Sequence, residues 1–97
     1  MKIWEEPIEF DWDEGNIGKN LKHDVDDKEV EEVFTNKPIL VSKDKKHSEK
    51  EKRFKALGQT DNGRLLFTSF TIRNGKVRII SARDMNKIEE SVYKQSL

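Results

Sequence analysis

Two Asn-Gly pairs divide the second half of the 97-residue chain into strand-like runs. Asn-Gly is the strongest short hairpin signal, because both residues tolerate the positive φ angles of a type I′ turn. The pairs are Asn62-Gly63 and Asn74-Gly75, and the runs cover residues 53–60, 64–73 and 76–82. The spacing therefore predicts a three-stranded antiparallel meander.

Apolar spacing predicts further elements ahead of the meander. Residues 8–12 alternate apolar and acidic side chains, which indicates a short N-terminal strand. Residues 14–23 are compatible with a first helix, although each of its two glycines costs about 1 kcal/mol relative to alanine. Asp26 is placed to cap a second helix, and Glu29 completes a capping box three residues later.

The second helix carries an apolar stripe at helical spacing, formed by Val30, Val33 and Phe34, and it ends before Pro38. Residues 39–41 then indicate a short buried strand. The almost wholly charged residues 43–53 predict a loop or an exposed helical turn.

After the meander, Asp84 is predicted to cap a C-terminal helix with an inner stripe of Met85, Ile88 and Val92. The expected fold is therefore a single α+β domain over residues 1–97. Its small antiparallel sheet combines the meander with the N-terminal strand, and two N-terminal helices and one C-terminal helix surround it.

Composition narrows the class of protein. Only 33% of the residues are apolar and 39% are charged, so the core of so short a chain is expected to be modest. The absence of cysteine excludes disulfides and thiolate metal sites. The N-terminus has no apolar segment typical of a signal peptide, and no run approaches the roughly 20 apolar residues of a membrane span. We expect a cytoplasmic protein that does not enter a membrane.

The zero net charge conceals a strong asymmetry. Residues 1–34 hold 4 basic and 12 acidic side chains, whereas residues 35–97 hold 15 basic and 7 acidic ones. A basic face can bind phosphates whatever the total charge, because local potential decides. The alternative is an ordinary solvated surface.

Four arginines, Arg53, Arg64, Arg78 and Arg83, lie on or beside the predicted meander. The planar arginine fork suits phosphate oxygens, although arginines on strands also serve as surface or edge charges. Arg78 and Arg83 are five residues apart, so an unbroken strand would point them to opposite faces.

The two histidines, His23 and His47, have no partner at zinc-ligand spacing, so no metal or other cofactor is predicted. Imidazole titrates near neutral pH, and either histidine could act as a general acid or base or lie inert at the surface.

The ordered set of motifs resembles the BrnT family of toxins over roughly residues 8–93. Its opening is Phe10-Asp11-Trp12-Asp13, followed by Asn20, Lys22-His23 and Val25. Its later part contains His47-Ser48-Glu49-x-Glu51-x-Arg53-Phe54, Leu57-Gly58-x-Thr60-x-x-Gly63-Arg64-x-Leu66, Phe70-Thr71-x-Arg73 and Arg78-x-Ile80-Ser81-Ala82-Arg83-Asp84-Met85.

The resemblance implies a RelE-like fold and a metal-independent endoribonuclease that cleaves RNA through the ribose 2′-OH and arrests growth. It also implies a BrnA-like ribbon-helix-helix antitoxin as partner. Two toxins are expected on an antitoxin dimer that binds operator DNA through the antitoxin.

The resemblance further suggests which side chains would form the site. Arg64, Arg78 and Arg83 match the arginines of the motif and would stabilise the phosphate, and His23 is the first candidate for proton transfer. The supporting or RNA-binding candidates are Lys22, His47, Glu51, Arg53 and Tyr93.

One departure from the family pattern concerns the segment from Asn20 to His23, which is shorter by one residue than is common in the family. One residue turns a helix by about 100°, so the histidine would point elsewhere. This favours the alternative function, a catalytically weak or inactive module that binds RNA or protein.

Overall fold

A computed structural model describes residues 3–97 of the chain. It contains one four-stranded antiparallel sheet in the order β1-β2-β3-β4. The strands are β1 (Leu40–Asp44), β2 (Arg53–Gln59), β3 (Leu65–Arg73) and β4 (Lys76–Asp84). Helix α1 (Asp27–Thr35) lies between the N-terminal segment and β1, and helix α2 (Lys87–Lys94) follows β4.

Helix α1 packs on one face of the sheet and closes the core. Its Val30, Val33 and Phe34 join Phe54, Ala56, Leu66 and Phe70 of the strands in one buried cluster. Gly58 makes this close approach possible, because a Cβ atom there would lie 2.7 Å from the Cγ1 of Val33. We call the opposite side of the sheet the outer face.

The predicted meander and the capping box of α1 are confirmed. The Asp26 carboxylate accepts from the Glu29 N–H at 2.8 Å, and the Glu29 side chain accepts from the Asp26 N–H at 3.2 Å. Asn74 and Gly75 both have positive φ angles, as a type I′ turn requires. In the other turn only Gly63 does, because the β2–β3 loop runs from Thr60 to Arg64 and is longer.

The predicted N-terminal strand and first helix are wrong. Within residues 8–12, only Phe10 forms a β-bridge, a parallel one to Val77. Residues 14–23 form turns followed by a short 3-10 helix, Lys19–His23. Gly18 adopts a φ of 68°, which is incompatible with a continuous α-helix. The part of the chain that the structure describes therefore has two α-helices, not three.

The C-terminal helix exists, but its predicted cap and inner stripe are wrong. Asn86, not Asp84, caps α2, and Glu89 completes the capping box. Ile88 is 77% exposed, whereas Tyr93 is fully buried. The Tyr93 hydroxyl donates to the Pro38 carbonyl at 2.7 Å and accepts from the Gln59 amide at 3.2 Å, so α2 packs across the outer face beside the end of β2.

The N-terminal segment covers the free edge of β4. The backbone N–H of Val77 donates to the Glu9 carbonyl at 2.9 Å, and the Val77 carbonyl accepts from the Asp11 N–H at 2.8 Å. Further along the strand, the Asn16 amide donates to the Ile79 carbonyl at 3.1 Å, and the Asn20 amide oxygen accepts from the Ala82 N–H at 2.9 Å. Two asparagine side chains thus continue the ladder where the backbone leaves the strand.

A β-bulge lies between these two asparagine contacts. Phe70 pairs with Ile79 and Ser69 pairs with Ser81, so Ile80 is an extra residue in β4. An added residue reverses the face on which later side chains lie. Arg78 pairs with Thr71 and Arg83 with Phe67, and these two β3 residues are four apart, so both arginines lie on the outer face.

Replacing Asn20 with alanine is expected to lower the free energy of unfolding by about 1–3 kcal/mol, because the buried Ala82 N–H loses its acceptor. Urea denaturation monitored by circular dichroism measures this change. The control is Asn62→Ala in an exposed turn, for which we expect a change within about 0.5 kcal/mol. Equal stability of the two variants would contradict the role of Asn20.

Candidate functional site

Strand register arranges the outer face in three rows across the sheet. One row is Asp44, Arg53, Thr71 and Arg78; the next is Ser42, Lys55, Ser69 and Ser81; the third is Leu40, Leu57, Phe67 and Arg83. Neighbouring rows are about 7 Å apart, because two residues of a strand span that length. The central row is polar in all four strands, which is unusual for a face that packs as core.

Arg83 is held at the corner of this face by three groups. Its Nη1 and Nη2 atoms donate to the two carboxylate oxygens of Glu89 at 2.8 and 3.0 Å. Nη1 also donates to the Asp84 carbonyl at 3.0 Å, and the guanidinium carbon lies 4.2 Å from the centroid of the Phe67 ring. The side chain is therefore fixed in both position and plane.

The geometry leaves one edge of the Arg83 guanidinium available. Arginine has five N–H donors, and the bonds to Glu89 and Asp84 use three of them. The Nε–H and the second Nη2–H have no partner within residues 3–97, and together they form a second fork. The side chain is 40% exposed, so this fork can reach a phosphate in solution.

The carboxylate that pairs with Arg83 belongs to Glu89. Its Oε1 accepts from both Arg83 and the Asn86 N–H, whereas Oε2 accepts from Arg83. The hydrogen bonds from Arg83 hold the pKa of Glu89 below its usual range, and the positive charge of Lys55 lowers it further. Glu89 is therefore an anion at neutral pH.

Arg64 fills a structural position at the end of the sheet. Its guanidinium pairs with Asp84 through Nε at 2.8 Å, contacts both carboxylate oxygens of Glu29 at 3.2 Å, and donates to the Asp24 carbonyl. These bonds raise its pKa, with the Asp84 hydrogen bond as the largest cause. Arg64 thereby ties α1 to the end of β4 and has few donors left for a ligand.

Arg78 is also paired, and it is more enclosed. Its Nη atoms donate to both oxygens of Asp13 at 2.9 and 3.0 Å, and its side chain is only 13% exposed. A Cβ atom on Gly15 would come within 2.9 Å of Nη2, so this glycine permits the close approach. The hydrogen bond to Asp13 raises the pKa of Arg78.

The structure separates the other sequence-predicted residues. Lys22 and His23 are exposed on the 3-10 helix beside β4, and the His23 imidazole has no hydrogen-bond partner among residues 3–97. His47 pairs with Asp44 at 2.9 Å beyond the far end of β1. Glu51 pairs with Arg73 at 3.2 Å at the same end.

Arg53 lies on the outer face, in the row of Arg78. Tyr93 is buried, and burial raises the pKa of its hydroxyl, which is occupied by Pro38 and Gln59. Its position stabilises the packing of α2.

Sequence reasoning missed Lys55, Phe67 and Glu89. The signal for Lys55 was present, because residues alternate faces along β2 and Lys55 points away from the buried Phe54 and Ala56. Glu89 was visible as the third residue after a capping Asn86, but only the fold shows that its carboxylate meets Arg83.

No group of three or more histidine, aspartate or glutamate side chains in residues 3–97 is arranged to hold a metal ion. Neither α-helix in that range has the length and apolar composition needed to cross a bilayer.

Comparison with known proteins identifies the family. No curated protein matches the chain. Residues 12–89 match the family model described as "Ribonuclease toxin, BrnT, of type II toxin-antitoxin system". This match covers most of the chain and includes the 3-10 helix, all four strands and Glu89. The chain belongs to the BrnT family of ribonuclease toxins.

Proposed function

We propose that this chain is the toxin of a type II toxin–antitoxin pair, and that it cleaves RNA on the outer face of its sheet. The observation that carries the proposal is the free fork of Arg83, fixed by Glu89 and Phe67 beside the polar central row of the outer face. Family membership supplies the reaction class, and the fork supplies a place for the phosphate.

The proposed reaction is attack of a ribose 2′-oxygen on the adjacent phosphorus, without a metal ion. Extra negative charge develops on the phosphoryl oxygens during the attack, and donors already aimed at that position stabilise it. The Nε–H and Nη2–H of Arg83 would supply two such donors, and Phe67 beneath the guanidinium keeps them in place.

The remaining sequence-predicted residues have different places in this proposal. Arg64 and Arg78 support the site through their carboxylate pairs, because Arg64 already uses most of its donors within the protein and the side chain of Arg78 is only 13% exposed. Arg53 on the outer face and Lys22 beside β4 would contact the RNA backbone. We place His23, His47, Glu51 and Tyr93 outside the reacting centre.

The proposal includes an antitoxin as partner. Type II systems silence the toxin with a protein, and the resemblance points to a BrnA-like ribbon-helix-helix antitoxin, two toxins on its dimer, and operator DNA bound through it. RelE-like architecture, action in the cytoplasm and growth arrest belong to the same proposal. They are supported by the α+β sheet and by the family match.

One observation favours the second function, a weak or inactive binding module. All three of these arginines, Arg64, Arg78 and Arg83, are paired with carboxylates, and the His23 imidazole has no partner to orient it within residues 3–97. Purified protein that binds a single-stranded RNA oligonucleotide without cleaving it in EDTA would establish this alternative.

Arg83→Ala is expected to reduce the rate of RNA cleavage in EDTA by about 100-fold or more, because the transition state loses its preorganised donors. Cleavage is followed on a fluorescent RNA oligonucleotide with purified protein. Arg73→Ala is the matched control, because Arg73 is an exposed strand arginine whose partner Glu51 lies at the other end of the sheet. Equal rates for Arg83→Ala and the parent would place the phosphate elsewhere.

His23→Ala is expected to lower the cleavage rate by less than about tenfold. A proton-transfer group contributes about 10²–10⁴ in rate only when it is held in place, and the His23 imidazole has no hydrogen-bond partner among residues 3–97. The same RNA assay measures the change, with Lys22→Ala as a neighbouring control for lost RNA contacts. A loss of 100-fold in His23→Ala alone would assign proton transfer to His23.

A further inference from the structure

Glu89 and Lys55 have no proton-transfer role in the reaction described above, in which Glu89 only orients the Arg83 fork. Glu89 projects from the first turn of α2, whereas Lys55 lies at the middle of β2 in the central row of the outer face. The inference rests on the proposed ribonuclease function, and it names the two groups that would move protons there.

Glu89 has the features of a general base. Its capping box and its pair with Arg83 fix the carboxylate, and both use Oε1. Oε2 accepts one bond from Arg83 within the described chain and retains lone-pair capacity. The Glu89 side chain is partly exposed, at 19%.

Lys55 has the features of a general acid. Its neighbours across the central row are the short side chains Ser42 and Ser69, so nothing bulky covers it from the adjoining strands. Within residues 3–97 its ammonium forms no ion pair closer than 4 Å, yet its charge lowers the pKa of both Asp44 and Glu89. Lys55 therefore lies on the outer face with no carboxylate paired to its ammonium among the described residues.

Arg83 connects the two groups. Its occupied edge faces Glu89, so a phosphate on the free Nε–Nη2 edge would lie next to the carboxylate that is to take the proton. Lys55 lies on the same face, one row (about 7 Å) and two strands (about 10 Å) from Arg83, which the length of a lysine and a phosphate between them can bridge. A base and an acid on two sides of a bound phosphate meet the geometric demand of an in-line displacement.

We propose that Glu89 is the general base and Lys55 the general acid of RNA cleavage by this protein. The Glu89 carboxylate takes the proton of the 2′-OH as the 2′-oxygen forms a bond to phosphorus. The bond from phosphorus to the 5′-oxygen breaks, and the Lys55 ammonium gives that oxygen a proton. The products are a 2′,3′-cyclic phosphate and a 5′-hydroxyl end.

The first experiment separates catalysis by Glu89 from its support of Arg83. Glu89→Gln keeps a capping-box acceptor, so the helix should still form. We expect its cleavage rate to fall by about 100-fold or more, while binding of an uncleavable 2′-deoxy oligonucleotide changes by less than about threefold. Glu90→Gln is the matched control, because within the described chain the adjacent Glu90 forms an ion pair with Lys94 alone.

The second experiment tests Lys55 with a substrate whose leaving 5′-oxygen is replaced by sulfur. A thiolate leaves without a proton, so the acid is no longer needed. We expect Lys55→Ala to cleave ordinary RNA about 100-fold more slowly than the parent and to regain most of the loss on the sulfur substrate. Glu89→Gln should regain none, because the attack still needs a base.

The outcomes separate the two levels of the proposal. A parent protein that cleaves no RNA would overturn the proposed function, and this assignment with it. Cleavage by the parent together with unimpaired cleavage by Glu89→Gln would overturn only the assignment of the base. Loss of binding and cleavage together in Glu89→Gln would show that this residue acts only through Arg83. If the sulfur substrate does not rescue Lys55→Ala, the assignment of Lys55 as the general acid is overturned.

Discussion

The edge of β4 is the constraint on which the rest of this structure depends. A strand at the edge of a sheet presents unpaired backbone groups, and burying them without partners is costly. Here Glu9, Asp11, Asn16 and Asn20 satisfy that edge in succession. Because these four contacts fix the path of the N-terminal segment, they also place the 3-10 helix, the entry to α1 and therefore the layer that covers the core.

The bulge at Ile80 sets the direction of the arginines on this edge. It turns Arg78 and Arg83 to the same face, although their spacing of five residues would separate them on a regular strand. The two arginines then have different partners. Arg78 pairs with Asp13 and holds the N-terminal segment, whereas Arg83 pairs with Glu89 and its Nε–Nη2 edge has no partner within residues 3–97.

The partners of an arginine decide its use more than its charge does. Arg64, Arg78 and Arg83 all lie in the segment that matches the family model, and all form carboxylate pairs. The pairs of the first two join distant parts of the chain, and their side chains are only 26% and 13% exposed. The pair of Arg83 spans six residues, its side chain is 40% exposed, and its guanidinium lies over an aromatic ring, so among these three arginines Arg83 best combines fixed geometry with access.

The sequence by itself determined the features that depend on near neighbours: the hairpins at Asn62-Gly63 and Asn74-Gly75, the α1 capping box and the alternation of the strands. Turn and cap chemistry act within a few residues, so a single sequence is enough to predict them. Tertiary structure alone decided that Tyr93 rather than Ile88 is buried, that Ile80 is an extra residue, and which carboxylate meets each arginine. Those outcomes depend on contacts between residues as far apart as Asp13 and Arg78, and no local pattern records them.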